Sequence, residues 1–584
     1  MASRNTYVTI DCGQGGINGS TDLSGFPKTD LTYAENLTAE DGTWRKIGGA
    51  SLITTTPISG APRVRGLTEF VLANGTTVRI AATGDGKIVS VVAGGVGNTL
   101  QTGLTANRFT VFAEGGGGTT KKLFRFNGAD AVGVTSDGVT MAAIASPPAD
   151  WATTNQPSFG FVHNGRLWGG GNPNDPHRIY GSEVINHENF SPGSVWAASF
   201  NYAAGNIVVP TIQNGHRYKV TTDAGSSAAT QPTWPTASGA TVVDGGLTWT
   251  EDGSDGYRTV QLSVFPGEGE GLVGGLSYKG RAFLFKKPRG IYWLDDSASD
   301  ITLWTLKRLT LAVGIQSPKA VVPVEDDFLL FTVDGSIIPI SAVSQQLGDV
   351  ALNPLLHDKL APFARSYINL NALSGVDSVY YPNKRQVWWC VPGPTSTVNN
   401  RMLGLDLREP ENPKIMWSTR DVCESIALTK DTNGIYRPMI GDSTGSVWLL
   451  DEAARTKNGL GYGFTGTTGD LDITDDGKRL VNLRELEVVA RHPPGTSTLS
   501  IQIDRDGGRK SQSLSISLPQ SGVAVGSFTI GTSAIGGETI GNHRKRIVGD
   551  ASRVRLTFAN AADLEDCSLA KFILSVSPGN DRRR

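Results

Sequence analysis

A turn glycine, usually behind Asp and followed at once by a short apolar strand, recurs along this chain. It stands as Asp85-Gly86-Lys87-Ile88-Val89, Asp137-Gly138-Val139-Thr140-Met141, Arg289-Gly290-Ile291-Tyr292, Asp334-Gly335-Ser336-Ile337-Ile338 and Thr444-Gly445-Ser446-Val447-Trp448. One or two β-rich runs lie just upstream of each copy, and neighbouring copies sit about 40 to 55 residues apart where nothing long intervenes. Short apolar runs bounded by tight turns predict strands. Repetition at this interval is the cadence of a β-propeller, in which a four-stranded blade repeats around an axis.

The first unit reads as strands at 66–71, 77–82 and 87–92, joined by hairpin turns at Asn74-Gly75 and Asp85-Gly86. A second covers 108–113, 122–126 and 139–143, and a third 159–162, 166–169 and 178–180 with a turn at Asn164-Gly165. The cadence breaks from 195 to 256 and resumes with units at 271–294, 318–341, 376–406 and 424–451. The count is about seven, within a range of six to eight. Downstream, alternating runs at 484–490, 498–504, 512–517, 523–530 and 554–558 predict a β-sandwich. The expected organisation is therefore all-β. It comprises an irregular arm with first propeller contacts (1–60), propeller blades (61–194), an inserted small β module (195–256) and further blades (257–457). A Gly-rich linker (458–479), the sandwich (480–578) and a basic tail (579–584) complete it.

Composition agrees with this. A chain of 584 residues exceeds what one core organises. Gly numbers 72 and charged residues are 18%, below the ~25% of average chains, which favours strands and turns over helices. Lys plus Arg is 53 against 55 Asp plus Glu, so no bulk positive charge indicates a tight grip on nucleic acid. The opening residues lack the apolar run of a secretion signal, and no stretch of 18 apolar residues predicts a membrane span. Cys12, Cys390, Cys423 and Cys567 are far apart and form no CxxC pair, which predicts reduced, mostly buried thiols in a chain folded in cytoplasm.

Glu35-Asn36-Leu37, followed by Asp41-Gly42-Thr43-Trp44-Arg45-Lys46-Ile47-Gly48-Gly49, resembles the opening of the tail nozzle proteins of short-tailed bacteriophages, also called tail tubular or packaged-DNA stabilisation proteins. Ile47-Gly48-Gly49 stands where that family has Pro-Gly. Residues 161–190 (FVHNGRLWGGGNPNDPHRIYGSEVINHENF) resemble one of its blades, 271–296 the next and 314–341 the one after. The resemblance covers about half of the chain in the expected order. It implies a structural virion protein of the phage tail, assembled in the bacterial host cytoplasm. It further implies a ring of copies, most often a hexamer, at the distal end of the DNA exit channel. The partners it implies are the portal adaptor or connector, tail fibres or spikes, and double-stranded DNA in passage. A near-neutral wall suits a conduit, because DNA must slide through without being held by released counterions.

The segment 195–256 resembles the small β modules inserted in phage tail proteins, akin to chitin- and cellulose-binding modules. Trp196, Tyr218, Trp234 and Trp249 are its candidate glycan or partner contacts, because sugar rings stack their apolar faces on aromatics. Trp234, between Pro232 and Pro235, is the one expected to be exposed. The competing reading is that so small a module uses its aromatics as its core. Asp244-Gly245-Gly246-Leu247-Thr248-Trp249 matches part of the Asp-box of sialidases, but Val242 replaces its Ser, and a hairpin turn is the expectation.

Other chemistry finds little support. No GxSxG, HExxH or GxxxxGK[ST] occurs. Asp295-Asp296 and Asp326-Asp327 are adjacent pairs whose members point to opposite strand faces, so solvated loop edges are expected rather than a glycosidase pair. The seven His show no metal-like spacing, and His177 and His187 are expected to be solvated. Asp504-Arg505-Asp506-Gly507 starts like a calcium loop but has Ser515 where the closing Glu belongs. The basic cluster His543-Arg544-Lys545-Arg546 and the tail Arg582-Arg583-Arg584 suit a subunit contact or a solvated edge. The expectation is no catalytic residue, no metal and no cofactor. The rival reading is a glycan-binding or glycan-degrading propeller.

Overall fold

The computed structural model describes residues 6–578 except 21–25, 117–119, 149, 152–153, 185, 191–193, 213, 215, 222–224, 255–259, 265–269, 299–302, 326, 342–356, 452–453, 475–478, 493–496, 519–538 and 561–566. The expected strand at 523–530 and the Arg582–Arg584 tail lie outside the described residues. The chain is all-β. Its middle is a succession of antiparallel sheets in sequence order. The first is Val64–Val71, Thr77–Thr83, Ile88–Val92 and Gly95–Gln101; the second is Val111–Gly115, Lys122–Phe126, Gly133–Thr135 and Ala142–Ala143. The third pairs Phe159–His163, Arg166–Gly170 and Arg178–Gly181 with Val260–Ser263, so its last strand comes from beyond the insert. The fourth runs Gly271–Tyr278, Arg281–Lys287, Ile291–Asp295 and Thr305–Thr310; the fifth has Val321–Val324, Asp327–Phe331 and Ile337–Pro339. A helix, His357–Tyr367, precedes the sixth, which begins Asp377–Tyr381, Gln386–Pro392, Asn399–Asp406 and Lys414–Ser418. The seventh is Ser425–Lys430, Tyr436–Gly441 and Val447–Asp451, completed by Gly49–Leu52 from the start of the chain.

Neighbouring sheets meet along their first strands. Between the fourth and fifth, Phe328 fills the seam, with ring centroids 5.2 Å from Tyr278 and 5.3 Å from Phe283. The first strand of the seventh sheet returns onto Val64–Val71 of the first. There Ser425 Oγ donates to the Val64 carbonyl at 3.1 Å, and the Glu424 carboxylate accepts from Arg63 Nε at 3.0 Å and from Arg65 Nη1 at 3.1 Å.

The recurrent turns have a common lock. Thr83, Thr135 and Thr332 each donate a hydroxyl hydrogen bond to the Asp two residues on (Asp85, Asp137 and Asp334) and accept one from a backbone N–H beyond it. Glycine follows because these positions have positive φ, +80° at Gly86 and +82° at Gly335.

The two ends of the chain depart from expectation. Residues 1–60 are not an irregular arm: Thr6–Asp11, Leu31–Glu35, Leu37–Glu40, Thr43–Lys46 and Gly49–Leu52 are all strands. Thr43–Lys46 pairs with Ser568–Pro578, and Leu37 faces Trp417 of the sixth sheet, so the sixth sheet continues through the 37–46 hairpin into the C-terminal region. The span 458–479 is not a free linker either, since Phe464–Thr468 and Leu471–Asp472 pair with Arg553–Asn560 and Tyr462 is buried. The sandwich is present but extends past 480–578. One layer holds Ser568–Pro578, Val481–His492, Thr539–Ala551 and Thr6–Asp11. The other holds Leu31–Glu35, Phe464–Thr468, Arg553–Asn560, Ser497–Arg505 and Lys510–Leu518. Alternation points Leu499, Ile501, Ile503, Leu556 and Phe558 inward onto Leu486, Val488, Phe572 and Leu574.

The cysteines also divide. Cys390 and Cys423 are bonded, with Cα atoms 5.7 Å apart, whereas Cys12 and Cys567 are buried outside that bond. The expectation of four reduced thiols is therefore corrected for the pair that tension of the fold brings together between the sixth and seventh sheets.

Candidate functional site

The insert stands between the third and fourth strands of the third sheet. Its main sheet orders Ser194–Val195, Ile207–Val209, His216–Val220, Leu247–Ser254 and Thr241–Asp244, with Asn201–Tyr202 and Gly225–Ser226 paired beside it. Asp244 organises its centre. That buried carboxylate accepts from Trp196 Nε1 at 2.6 Å, Trp249 Nε1 at 2.9 Å and the Ala228 N–H at 2.8 Å. Gly245 makes the turn possible: its φ is +61°, and a Cβ there would meet the Ser226 carbonyl at 2.4 Å.

This arrangement consumes the aromatics singled out as contacts. Trp196, Tyr218 and Trp249 are buried in the module core, so they are corrected from surface contacts to core. Trp234 is half-buried rather than displayed, with its ring 4.2 Å from Tyr218 and 5.8 Å from Trp249. Tyr218 donates to the Pro235 carbonyl at 2.8 Å, which draws the proline-flanked segment inward. The exposed aromatic is Phe200, 54% exposed, on the turn after Ser199. It went unremarked in the sequence because no proline or tryptophan marks it.

The Asp-to-indole device recurs in the seventh sheet, where Asp442 accepts from Thr444 N–H at 2.8 Å, Ser446 N–H at 2.9 Å and Trp448 Nε1 at 2.8 Å. Both copies are turn locks, in keeping with the hairpin reading of the Asp-box match.

Outside the insert, the polar groups considered for catalysis are tied into seams. His163, buried at the edge of the third sheet, meets Ser277 Oγ of the fourth through Nδ1 at 2.8 Å and Asp296 Oδ2 through Nε2 at 3.0 Å. Asp296 is thus an inter-sheet ligand rather than a solvated edge. Its neighbour Asp295 binds Lys307 and Ser297, bonds that hold its carboxyl down at about 2. Asp326 lies outside the described residues, and Asp327 accepts from the Ser341 N–H at 3.1 Å. His187 is buried, not solvated: Nδ1 accepts from the Gly116 N–H at 2.7 Å and Nε2 donates to the Gly165 carbonyl at 2.8 Å. Burial pushes its pKa down. His177 is half-buried, and burial, then the Lys286 charge, lower it as well.

Asp506 is spent on the sandwich, accepting from the N–H groups of Ser552 at 2.9 Å and Arg553 at 3.0 Å. Asp504 accepts from Ser511 Oγ at 2.6 Å. Among the described residues no group of three or more His, Cys, Asp or Glu is placed to hold a metal. The basic cluster lies on Thr539–Ala551, a boundary strand of its sheet among the described residues; Arg544, Lys545 and Arg546 are exposed, and Arg544 pairs with Glu487 at 3.1 Å. No described helix is long and apolar enough to cross a membrane.

No protein-family model matches the chain, and no curated protein sequence does. Among solved structures it is similar to Sqt1 of Saccharomyces cerevisiae, with 8% identity and TM-score 0.36 over 72% of this chain and 100% of that one. It is also similar to the computationally designed protein Ika8, with 10% identity and TM-score 0.34 over 69% and 100% of the two chains. An exo-β-1,3-galactanase from Phanerochaete chrysosporium gives 10% identity and TM-score 0.18 over 79% and 95%. Likenesses this distant decide neither fold nor function.

Proposed function

We propose that the chain is a structural protein of a short-tailed phage tail, a seven-bladed β-propeller that assembles with copies of itself into a nozzle ring at the end of the DNA channel. The observation that carries the reading is the series of seven sheets returning onto its own beginning, with Gly49–Leu52 as the outer strand of the last. The stretches that resemble nozzle proteins fall on this series in order: residues 35–49 at the closing strand, then the third, fourth and fifth sheets. In this role the protein extends the conduit, helps to retain packaged DNA and offers sites for fibres or spikes. Its near-balanced charge suits a wall that confines the duplex without gripping it.

The test is twofold. Native mass spectrometry and electron microscopy of purified protein are expected to give a closed ring, and the free subunit to bind duplex DNA weakly even at low salt. Particles lacking the protein are expected to package normally but leak their genome. Particles that keep their DNA and remain infectious would refute the channel-end role and favour the rival glycan-binding reading.

A further inference from the structure

The geometry points to a saccharide-binding subsite in the insert, centred on Phe200 and independent of the ring reading. Five rings (Trp196, Tyr202, Tyr218, Trp234 and Trp249) already form or flank the module core. Phe200 adds little to it. Its ring stands over Tyr202 at 4.9 Å between centroids, yet it remains 54% exposed. Its backbone is nonetheless fixed: its N–H donates to Ser227 Oγ at 3.0 Å, its carbonyl accepts the Ser227 N–H at 2.9 Å, and Ser199 before it has a φ of +53°. A large apolar ring held outward on a pinned, strained turn is preorganised for a ligand.

Beside it lies a cleft of about 400 Å³ lined by Val195, Ala197, Phe200, Tyr202, Asn206 and Ile207. None of these side chains is charged. Val195 is 55% exposed, and Asn206 uses its Oδ1 to accept the Ala203 N–H at 2.9 Å, leaving its amide N–H groups toward solvent at the rim. An aromatic face, an aliphatic floor and amide donors at the edge match a neutral pyranose, whose C–H face is apolar and whose perimeter is hydroxyl. A charged ligand finds no counter-charge in this lining, and a purely apolar one would leave the rim amide unpaired.

The test titrates the full-length protein with cellotetraose and, separately, with triacetylchitotriose, by calorimetry and saturation-transfer NMR. At least one sugar is expected to bind with Kd on the order of 1 mM, through its ring C–H protons. Phe200→Ala is expected to weaken that binding at least tenfold and Phe200→Trp to retain it. Val243→Ser, which alters another exposed apolar residue of the module, is expected to leave it unchanged. Thermal unfolding and the oligomeric mass of each variant show whether the fold persists. Failure of both sugars to bind wild type, equal binding by Phe200→Ala, or loss in Val243→Ser would overturn the subsite. Because mass is read on the same samples, any of these leaves the ring reading standing or falling separately.

Discussion

Replacing Glu424 by Ala tests whether the seam between the last and first sheets is held as its contacts require. The Glu424 side chain is only 1% exposed and receives Arg63 through Nε and Nη2 and Arg65 through Nη1. Removing one member of a buried ion pair costs about 3–5 kcal/mol, chiefly because the remaining charge is stranded. Arg63 is 31% exposed and would turn to water, so its share is discounted. Arg65 is 14% exposed and its Nε already lacks an acceptor, so it carries most of the loss. The expected cost is about 3 kcal/mol, or roughly 10²-fold in the opening equilibrium of this seam. Glu424→Gln keeps shape and acceptor but not charge, and about half that loss is expected. Hydrogen exchange followed by mass spectrometry reads the effect locally: amides of Val64–Val71 and Ser425–Lys430 should exchange faster while those of the fourth sheet do not. If exchange rises equally in every sheet, or in none, Glu424 does not close the seam.

Three further outcomes follow from the same contacts. Asp244→Ala strands two indole N–H groups and one backbone N–H, each worth about 1–3 kcal/mol, more than a module of this size holds in reserve; near-UV dichroism should lose its tryptophan signal while the oligomeric mass is unchanged. Burial pushes the Asp137 carboxyl up, but the N–H groups of Thr140 and Val139 and the Thr135 and Thr140 hydroxyls outweigh it and hold the pKa at about 2. Its stabilisation is therefore complete above the ordinary Asp range and lost as pH falls through about 2, and Asp137→Asn should flatten the acid limb of Tm against pH. Replacing 191–258 by a Gly-Ser linker that still lets Val260–Ser263 reach Arg178–Gly181 should leave melting of the sheets unchanged; an insoluble product would make the insert part of the third sheet's core.

What the sequence revealed depended on whether a signal was local. Strands such as Thr77–Thr83, Lys122–Phe126 and Tyr436–Gly441 announce themselves through β-rich runs against turn glycines, and the sandwich strand Ser497–Arg505 through strict alternation. Gly95–Gln101 was missed because, as an outer strand, it buries only its ends. Val260–Ser263 was missed because its partner lies across the insert, and Gly49–Leu52 because its partner lies some 400 residues on. The aromatic richness of the insert was plain, but which rings face inward is set by Asp244, whose three donors converge only in three dimensions. His187 looks like a loop residue until Gly116 and Gly165 are brought to its two nitrogens.

The N-terminal strands show why the missed part matters mechanically. Thr6 faces Val576, Leu37 faces Trp417 and Gly49 faces Asp451, so one segment supplies strands to the sandwich, to the extension of the sixth sheet and to the closure of the seventh. Contacts this distant in sequence form late, because their loop-closure entropy must be met before they contribute. The seventh sheet and the sandwich therefore reach their full strand complement only when both ends of the chain are present. Once they do, load on the sandwich passes into the sixth sheet through ladder hydrogen bonds and the stacked Trp44–Phe558 pair, 5.4 Å apart, rather than through a flexible tether. A subunit meant to hold its shape around a conduit gains most from that kind of connection.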